Sequence, residues 1–280
     1  LPNAVRARFV DRDNNLAHLA SALPPETIGK LVNRPAKVKK VAQPFASFEG
    51  RPLESPEGYR RRVSERLRHK QRAVSIWDYE HLALQRFPEL HKVKCLNHTR
   101  VDEATDSIQE LAPGHVTLVV VPDLRNKNFY DPLKPRVSQN LLARIEQFIG
   151  PLKSLHVRFN AINPRYEGVK FQVEVVFRAG SAPSVYRQQL NSDLVAWLSP
   201  WVREPEKGIR FGGVVHKSQV ISFIESLPYI DYLTGFTMFH EVGGVTGSTG
   251  QDQVQASSSA AILVSVASHE ISSKTPTPCP

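Results

Sequence analysis

The chain has 280 residues, 41% hydrophobic and 22% charged, values near globular averages that exclude wholesale disorder. No stretch approaches the roughly 20 consecutive apolar residues of a membrane-spanning helix; the longest apolar runs, Val116–Val121 and Ala260–Ala267, have strand dimensions. Charge is the unusual quantity: 36 Lys and Arg against 27 Asp and Glu leave a net +9, a surplus that favours polyanions or acidic protein partners and says nothing about fold.

At about 150 residues per domain, two compact units are expected. The two cysteines, Cys95 and Cys279, lie far apart in sequence, which excludes a disulfide framework and a cysteine-cluster zinc site and points to free thiols in a reducing cytosol. The chain opens on Leu1-Pro2 with scattered charge in place of a signal-peptide apolar core and reads as part of a longer polypeptide.

In chain order, residues 1–54 read as an extended arm broken by prolines, with a basic cluster at Lys37, Lys39 and Lys40 and a short helix over Asn15–Ala22. Ser55-Pro56-Glu57 is an N-cap, first-turn proline and first-turn acid, opening a helix with Tyr59, Val63 and Leu67 at four-residue intervals. That helix is basic: Arg60, Arg61, Arg62, Arg66, Arg68, Lys70 and Arg72 face only Glu65. A second helix begins at Ser75 and stops at Pro88; strands follow over Leu90–His98 and His115–Val121, separated by a polar loop over Arg100–Leu111. Val137 to Ile149 is an amphipathic helix closed by Gly150-Pro151.

The second half repeats this material in another order. Leu155–Ile162 and Val169–Arg178 alternate as strands, joined by the tight loop Asn163–Gly168 and expected to pair antiparallel; helices over Ser184–Ser199 and Lys217–Leu227 and a strand over Tyr229–His240 complete the unit. The fold class is therefore α+β: two small modular α/β-sandwich units with mixed sheets, 55–151 and 152–240, after the arm and before a flexible tail, 241–280, with one strand near 260–267.

No motif demands chemistry. The Gly243–Gly250 stretch lacks the lysine and hydroxyl residue of a phosphate loop, the histidines do not show metal-ligand spacing, and no nucleophile elbow is present. Catalytic residues, metals and cofactors are expected to be none. The basic helix 60–72 supports an alternative reading as a nucleic-acid-binding module, although aromatic residues are not interleaved with its charges. An acidic protein neighbour is the other option, with Arg61, Arg62, Arg66, Arg68, Trp77 and Tyr79 as the interface.

Several segments resemble the baseplate J-like family, wedge proteins of contractile phage tails and phage-tail-like injection systems. They are Tyr59–Lys70, Ala73–Leu82, Phe87–His98, Pro113–Pro122, Asn163–Tyr166, Leu198–Trp201, Ile209–Gly213, Tyr229–Tyr232 and the tail strand Ala261–Ser265, in the family's order. The resemblance implies the C-terminal portion of a longer structural wedge protein, without enzyme activity, that links wedges into a ring around the central spike and couples baseplate rearrangement to sheath contraction. It implies other wedge proteins, a second J-like copy or paralogue, and hub, spike and sheath-proximal proteins as partners in a homo- or hetero-oligomer. Assembly is expected in the cytoplasm, with the particle then released. A membrane span and a nucleic-acid partner are not expected.

Overall fold

The computed structural model describes residues 23–47, 54–102, 107–124, 131–178, 182–204 and 209–274. The chain divides into two compact units, Leu1–Leu67 and Arg68–Pro280.

In the first unit, residues 23–47 contain neither helix nor strand, yet they do not run as an extended arm. The segment closes on itself: Ser47 N donates to Leu23 O (3.0 Å) and Leu23 N to Ser47 Oγ (2.8 Å). Gln43 clamps the interior, its carbonyl accepting from Glu26 N (2.8 Å), its Oε1 from Ile28 N (3.0 Å), and its Nε2 donating to Phe45 O (2.8 Å). The helix expected over Asn15–Ala22 lies outside the described residues, as does Cys279. Helix α1, Pro56–His69, starts where the sequence places it, with Ser55 Oγ accepting from Gly58 N (3.1 Å). It stops because Lys70 and Gln71 turn left-handed, with φ of 49° and 56°.

The second unit begins with α2, Ile76–Arg86, fixed by a capping box between Ser75 and Asp78. Its first sheet has the order β1-β4-β5, from β1 (Leu90–Asn97), β4 (His115–Pro122) and β5 (Arg158–Ile162). β1 lies antiparallel and β5 parallel to β4. The connection from β1 to β4, expected as a loop, carries a small hairpin of β2 (Arg100–Asp102) and β3 (Ser107–Gln109). Helix α3, Gln139–Ile149, joins α2 on one face, where Leu82, Ala83, Leu142, Ile145 and Ile149 pack with Val93, Leu118, Val120 and Ala161. Both outer strands carry a carboxylate on their free side: Glu80 accepts from Cys95 N and Glu146 from Ala161 N, each at 2.8 Å. These plugs occupy backbone donors that an edge strand would otherwise offer to another chain.

The pairing of β4 with β5 carries the first sheet past residue 151, and it corrects the antiparallel partnership expected between the strands on either side of Asn163. β6, Arg165–Phe177, pairs instead with β8, Ile230–Val242. The reason is the brevity of the link. β5 ends at Ile162 and β6 begins at Arg165, with Asn163 tied to the backbone of Val137 on both sides of its amide (2.8 and 3.1 Å), so the expected loop is largely strand and the chain steps directly between sheets.

The second sheet has the order β11-β6-β8-β9, with β12 also on β6. Its remaining strands are β9 (Val245–Thr246), β11 (Ala261–Ser265) and β12 (Glu270–Ser273). The odd residues of β6 from Val169 to Phe177 face α4, Pro183–Leu198, and α5, Lys217–Glu225, around Leu190, Leu194, Val220 and Ile224, as the alternation predicts. β7 (Val214–His216) and β10 (Gln253–Gln255) form a separate two-stranded ribbon. The region expected as a flexible tail is therefore strand-rich. Gly243 and Gly244, with φ of 61° and 83°, form the two-residue turn between β8 and β9, a conformation that glycine adopts at low cost.

Two further clusters join the sheets. Val121 of β4 packs with Tyr166, Trp201, Ile209, Ile262 and Val264, while Leu96 and Val119 pack with Ala260. The continuous apolar run of β4 is thus buried on both faces. Across this seam Lys92 Nζ donates to Ile209 O (2.6 Å) and Lys94 Nζ to Ser259 O (2.8 Å), with both ammonium groups within 6 Å of the Phe211 ring. Trp201 Nε1 donates to Pro132 O (3.2 Å).

Candidate partner-binding surface

Of the six residues expected at an interface, the structure exposes Arg61, Arg66 and Arg68 on α1. Arg62 is engaged locally: Nε donates to Glu54 Oε1 and a terminal nitrogen to Oε2, both at 2.9 Å, and the guanidinium lies 5.2 Å from the Tyr59 ring centroid. The hydrogen bond from Arg62 holds the Glu54 carboxyl below its ordinary range. Arg68 lies 4.2 Å over Trp77, whose indole stacks on His81 at 4.0 Å. Tyr79 is corrected from the interface to the core, being 3% exposed and stacked on Phe159 at 5.6 Å. Its place on the inward face of α2, three residues before Leu82, accounts for this.

The surface has a second component, apolar rather than charged. Tyr59 and Leu67 on α1 are 54% and 70% exposed, and in the closed loop Val32 is fully exposed and Phe45 77% exposed. No described residue of 23–47 or 54–67 is buried. Residues 1–67 also hold 13 Lys and Arg against 7 Asp and Glu, so six of the nine surplus charges lie in this quarter of the chain. The four-residue spacing of Tyr59, Val63 and Leu67 was legible in sequence as a narrow apolar face; its exposure was not.

The second unit holds two buried polar clusters. Glu167, 2% exposed, accepts from Ser257 N (3.0 Å), Ser257 Oγ and His240 Nε2 (2.8 Å). His269 and Ser265 have the outward form of a base and a nucleophile, with Nε2 and Oγ 2.9 Å apart, but their protons are placed the other way. His269 Nδ1 accepts from Phe171 N (3.1 Å), leaving the proton on Nε2, and Ser265 Oγ donates to Val266 O (2.8 Å). The imidazole therefore donates to the hydroxyl and cannot accept its proton. Burial, reinforced by the Lys170 charge, pushes His269 down to about 4. Burial and then the nearby Glu80 charge push the Cys95 thiol up to about 12, which removes its thiolate at neutral pH. Among the described residues no group of three His, Cys, Asp or Glu side chains is placed to hold a metal ion, and no helix is long and apolar enough to cross a membrane.

The His269 environment fixes an acid dependence. Its folded pKa lies below the unfolded value of about 6.5, so the neutral ring contributes fully above that pH and the contribution is lost as pH falls toward 4. The loss is expected to reach about 3 kcal/mol. Urea midpoints measured from pH 7 to pH 4 should fall for the native chain and fall less steeply for His269→Gln. Identical slopes would show that another group governs the window.

Comparison of the sequence with curated proteins finds no match. Among solved structures the chain is similar to one in the six-fold symmetrised cryo-EM structure of the anti-feeding prophage (AFP) baseplate, with a TM-score of 0.60 and 23% identity. The alignment covers 92% of this chain and 51% of that chain, so this chain spans about half the length of its structural neighbour and shares its fold. The family description that matches is that of PVC11-like baseplate proteins, over residues 2–267. A match of that extent, on an α+β body of two joined sheets, establishes that the chain belongs to the PVC11-like family of baseplate proteins.

Proposed function

We propose that this protein is a structural wedge subunit in the baseplate of a phage-tail-like contractile injection system, where it links neighbouring wedges into the ring around the central spike and transmits baseplate rearrangement to the sheath. The carrying observation is the family match over residues 2–267; the fold shared with a chain of the AFP baseplate supports it. The joined sheets add a physical argument. The two sheets of the second unit are tied together by two shared apolar clusters and two lysine-to-carbonyl bonds, so in a rearranging ring they move as one block. Packed interfaces of this kind shift between discrete arrangements and do not bend continuously. Assembly takes place in the cytoplasm, before the particle is released. The partners are other wedge proteins, a second copy or paralogue, and the hub.

Deleting the gene from a particle-producing strain is the direct test. Sedimentation and negative-stain microscopy should then show no contraction-competent particles, and re-expression of the wild-type gene should restore them. Normal particles from the deletion strain would overturn the proposal.

A further inference from the structure

We infer that the closed loop 23–47 and helix α1 dock onto a neighbouring baseplate subunit of a different chain, one that offers an apolar groove rimmed by Asp and Glu. The inference rests on the baseplate reading and adds the chemistry of the partner.

Stability is the first consideration. None of the described residues of the first unit is buried, and what holds residues 23–47 in shape is backbone hydrogen bonding and the Gln43 clamp. Such bonds contribute only about 1 kcal/mol each when water competes for them. A single helix the length of α1 is marginal in water without a packed face. The segment nevertheless places Leu31, Val32 and Phe45 on the outside of the loop and Tyr59 and Leu67 on the outside of α1. Large apolar side chains left exposed in this number are surface that another molecule covers.

The pattern on α1 specifies the cover. Tyr59, Val63 and Leu67 recur every four residues and form one stripe about 12 Å long. On a helical projection Arg66 borders the stripe on one side and Arg60 on the other. An apolar stripe with cationic borders fits a groove that is apolar at its floor and acidic at its rim, the helix-in-groove mode of recognition. The loop repeats the chemistry, with Lys30 and Arg34 flanking Leu31 and Val32. Charge argues against a second copy of this chain as the occupant. Residues 68–280 carry 23 Lys and Arg against 20 Asp and Glu, so they offer no acidic surplus to meet the first unit. A nucleic acid would satisfy the arginines and leave the stripe uncovered.

The test uses assembled particles carrying a photoreactive amino acid at Leu67, at Val32 or, as a control in the second unit, at the 93% exposed Leu155. Irradiation followed by mass spectrometry should link positions 67 and 32 to a different baseplate subunit at peptides rich in Asp and Glu, and should not do so from position 155. Links to a second copy of this chain or to nucleic acid, or links no stronger than those of the control, would overturn the inference. Leu67→Asp and Arg66→Glu variants should enter particles about tenfold less than wild type, while the urea midpoint of the second unit is unchanged. Wild-type chain missing from particles would defeat the baseplate reading itself; wild-type incorporation matched by both variants would defeat only the docking inference.

Discussion

Replacing Ile262 by alanine is expected to cost about 2–5 kcal/mol and to destabilise both sheets of the second unit in one transition. Ile262 has no exposed surface. It sits opposite Tyr166 in the parallel pairing of β11 with β6, makes a bridge to Gly212, and packs in the cluster that holds Val121 of the first sheet and Trp201. A cavity here is lined by both sheets, and neither can collapse into it because strand pairing fixes their backbones. Urea unfolding followed by tryptophan fluorescence and by circular dichroism should show coincident midpoints, both lowered in the variant. Two separated transitions would mean that the sheets fold independently, and the single-block account would be wrong. Val185→Ala, on the exposed side of α4, is the matched control and should stay within about 0.5 kcal/mol.

Glu167→Ala is expected to cost about 1–3 kcal/mol. The carboxylate is the common acceptor for Ser257 N, Ser257 Oγ and His240 Nε2, so its removal leaves three donors without their acceptor at the edge of the core, where Ser257 is exposed and the His240 side chain is 16% exposed. Water reaches Ser257 and offsets part of this loss, and the vacated space beside the strand accounts for the rest. The strand has little freedom to close the gap, because a side-chain carbon at the neighbouring Gly168 would already meet Glu241 Cβ at 3.1 Å and Val266 Cγ1 at 3.2 Å. Glu167→Gln keeps one acceptor oxygen and should lose less. Chemical denaturation gives the energies, and hydrogen exchange at the Ser257 amide reports the site directly. A cost below about 1 kcal/mol for the alanine variant, with Ser257 still protected, would show that water replaces the carboxylate without penalty.

These two residues also mark where reading along the chain stops being sufficient. The sequence alone determined the elements that local physics controls. Ser55 and Ser75 announced their helices because an N-cap needs only its next three residues. The odd-numbered residues from Val169 to Phe177 announced the buried face of β6 because side chains alternate along a strand. Arg61, Arg62, Arg66 and Arg68 were legible as a cationic helix, and the turn at Pro113-Gly114 separated the strands of the first sheet. The same letters could not say which strands become neighbours. The alternation of Leu155–Ile162 is equally consistent with either sheet, and only the two-residue link at Asn163-Pro164 and the tie to Val137 send it to β4. Gly243-Gly244 serves a linker or a hairpin equally well until Val242 and Val245 are opposite one another.

Burial divides in the same way. Glu167 lies in a segment whose sequence predicts a tight loop, and it becomes a buried acceptor because β6 starts two residues before it and Ser257, 90 positions away, hydrogen-bonds to it. Tyr79, expected at an interface, lies in the core stacked on Phe159. Tyr59 and Leu67 have the spacing of core residues and are left outside. Each outcome turns on contacts between residues far apart in the chain, whose free energy depends on what lies opposite and not on what lies adjacent. Composition and periodicity thus determined that this is a basic α+β protein with a cationic helix near residue 60. The tertiary structure decided that its two sheets share a core and that the apolar stripe of that helix remains exposed.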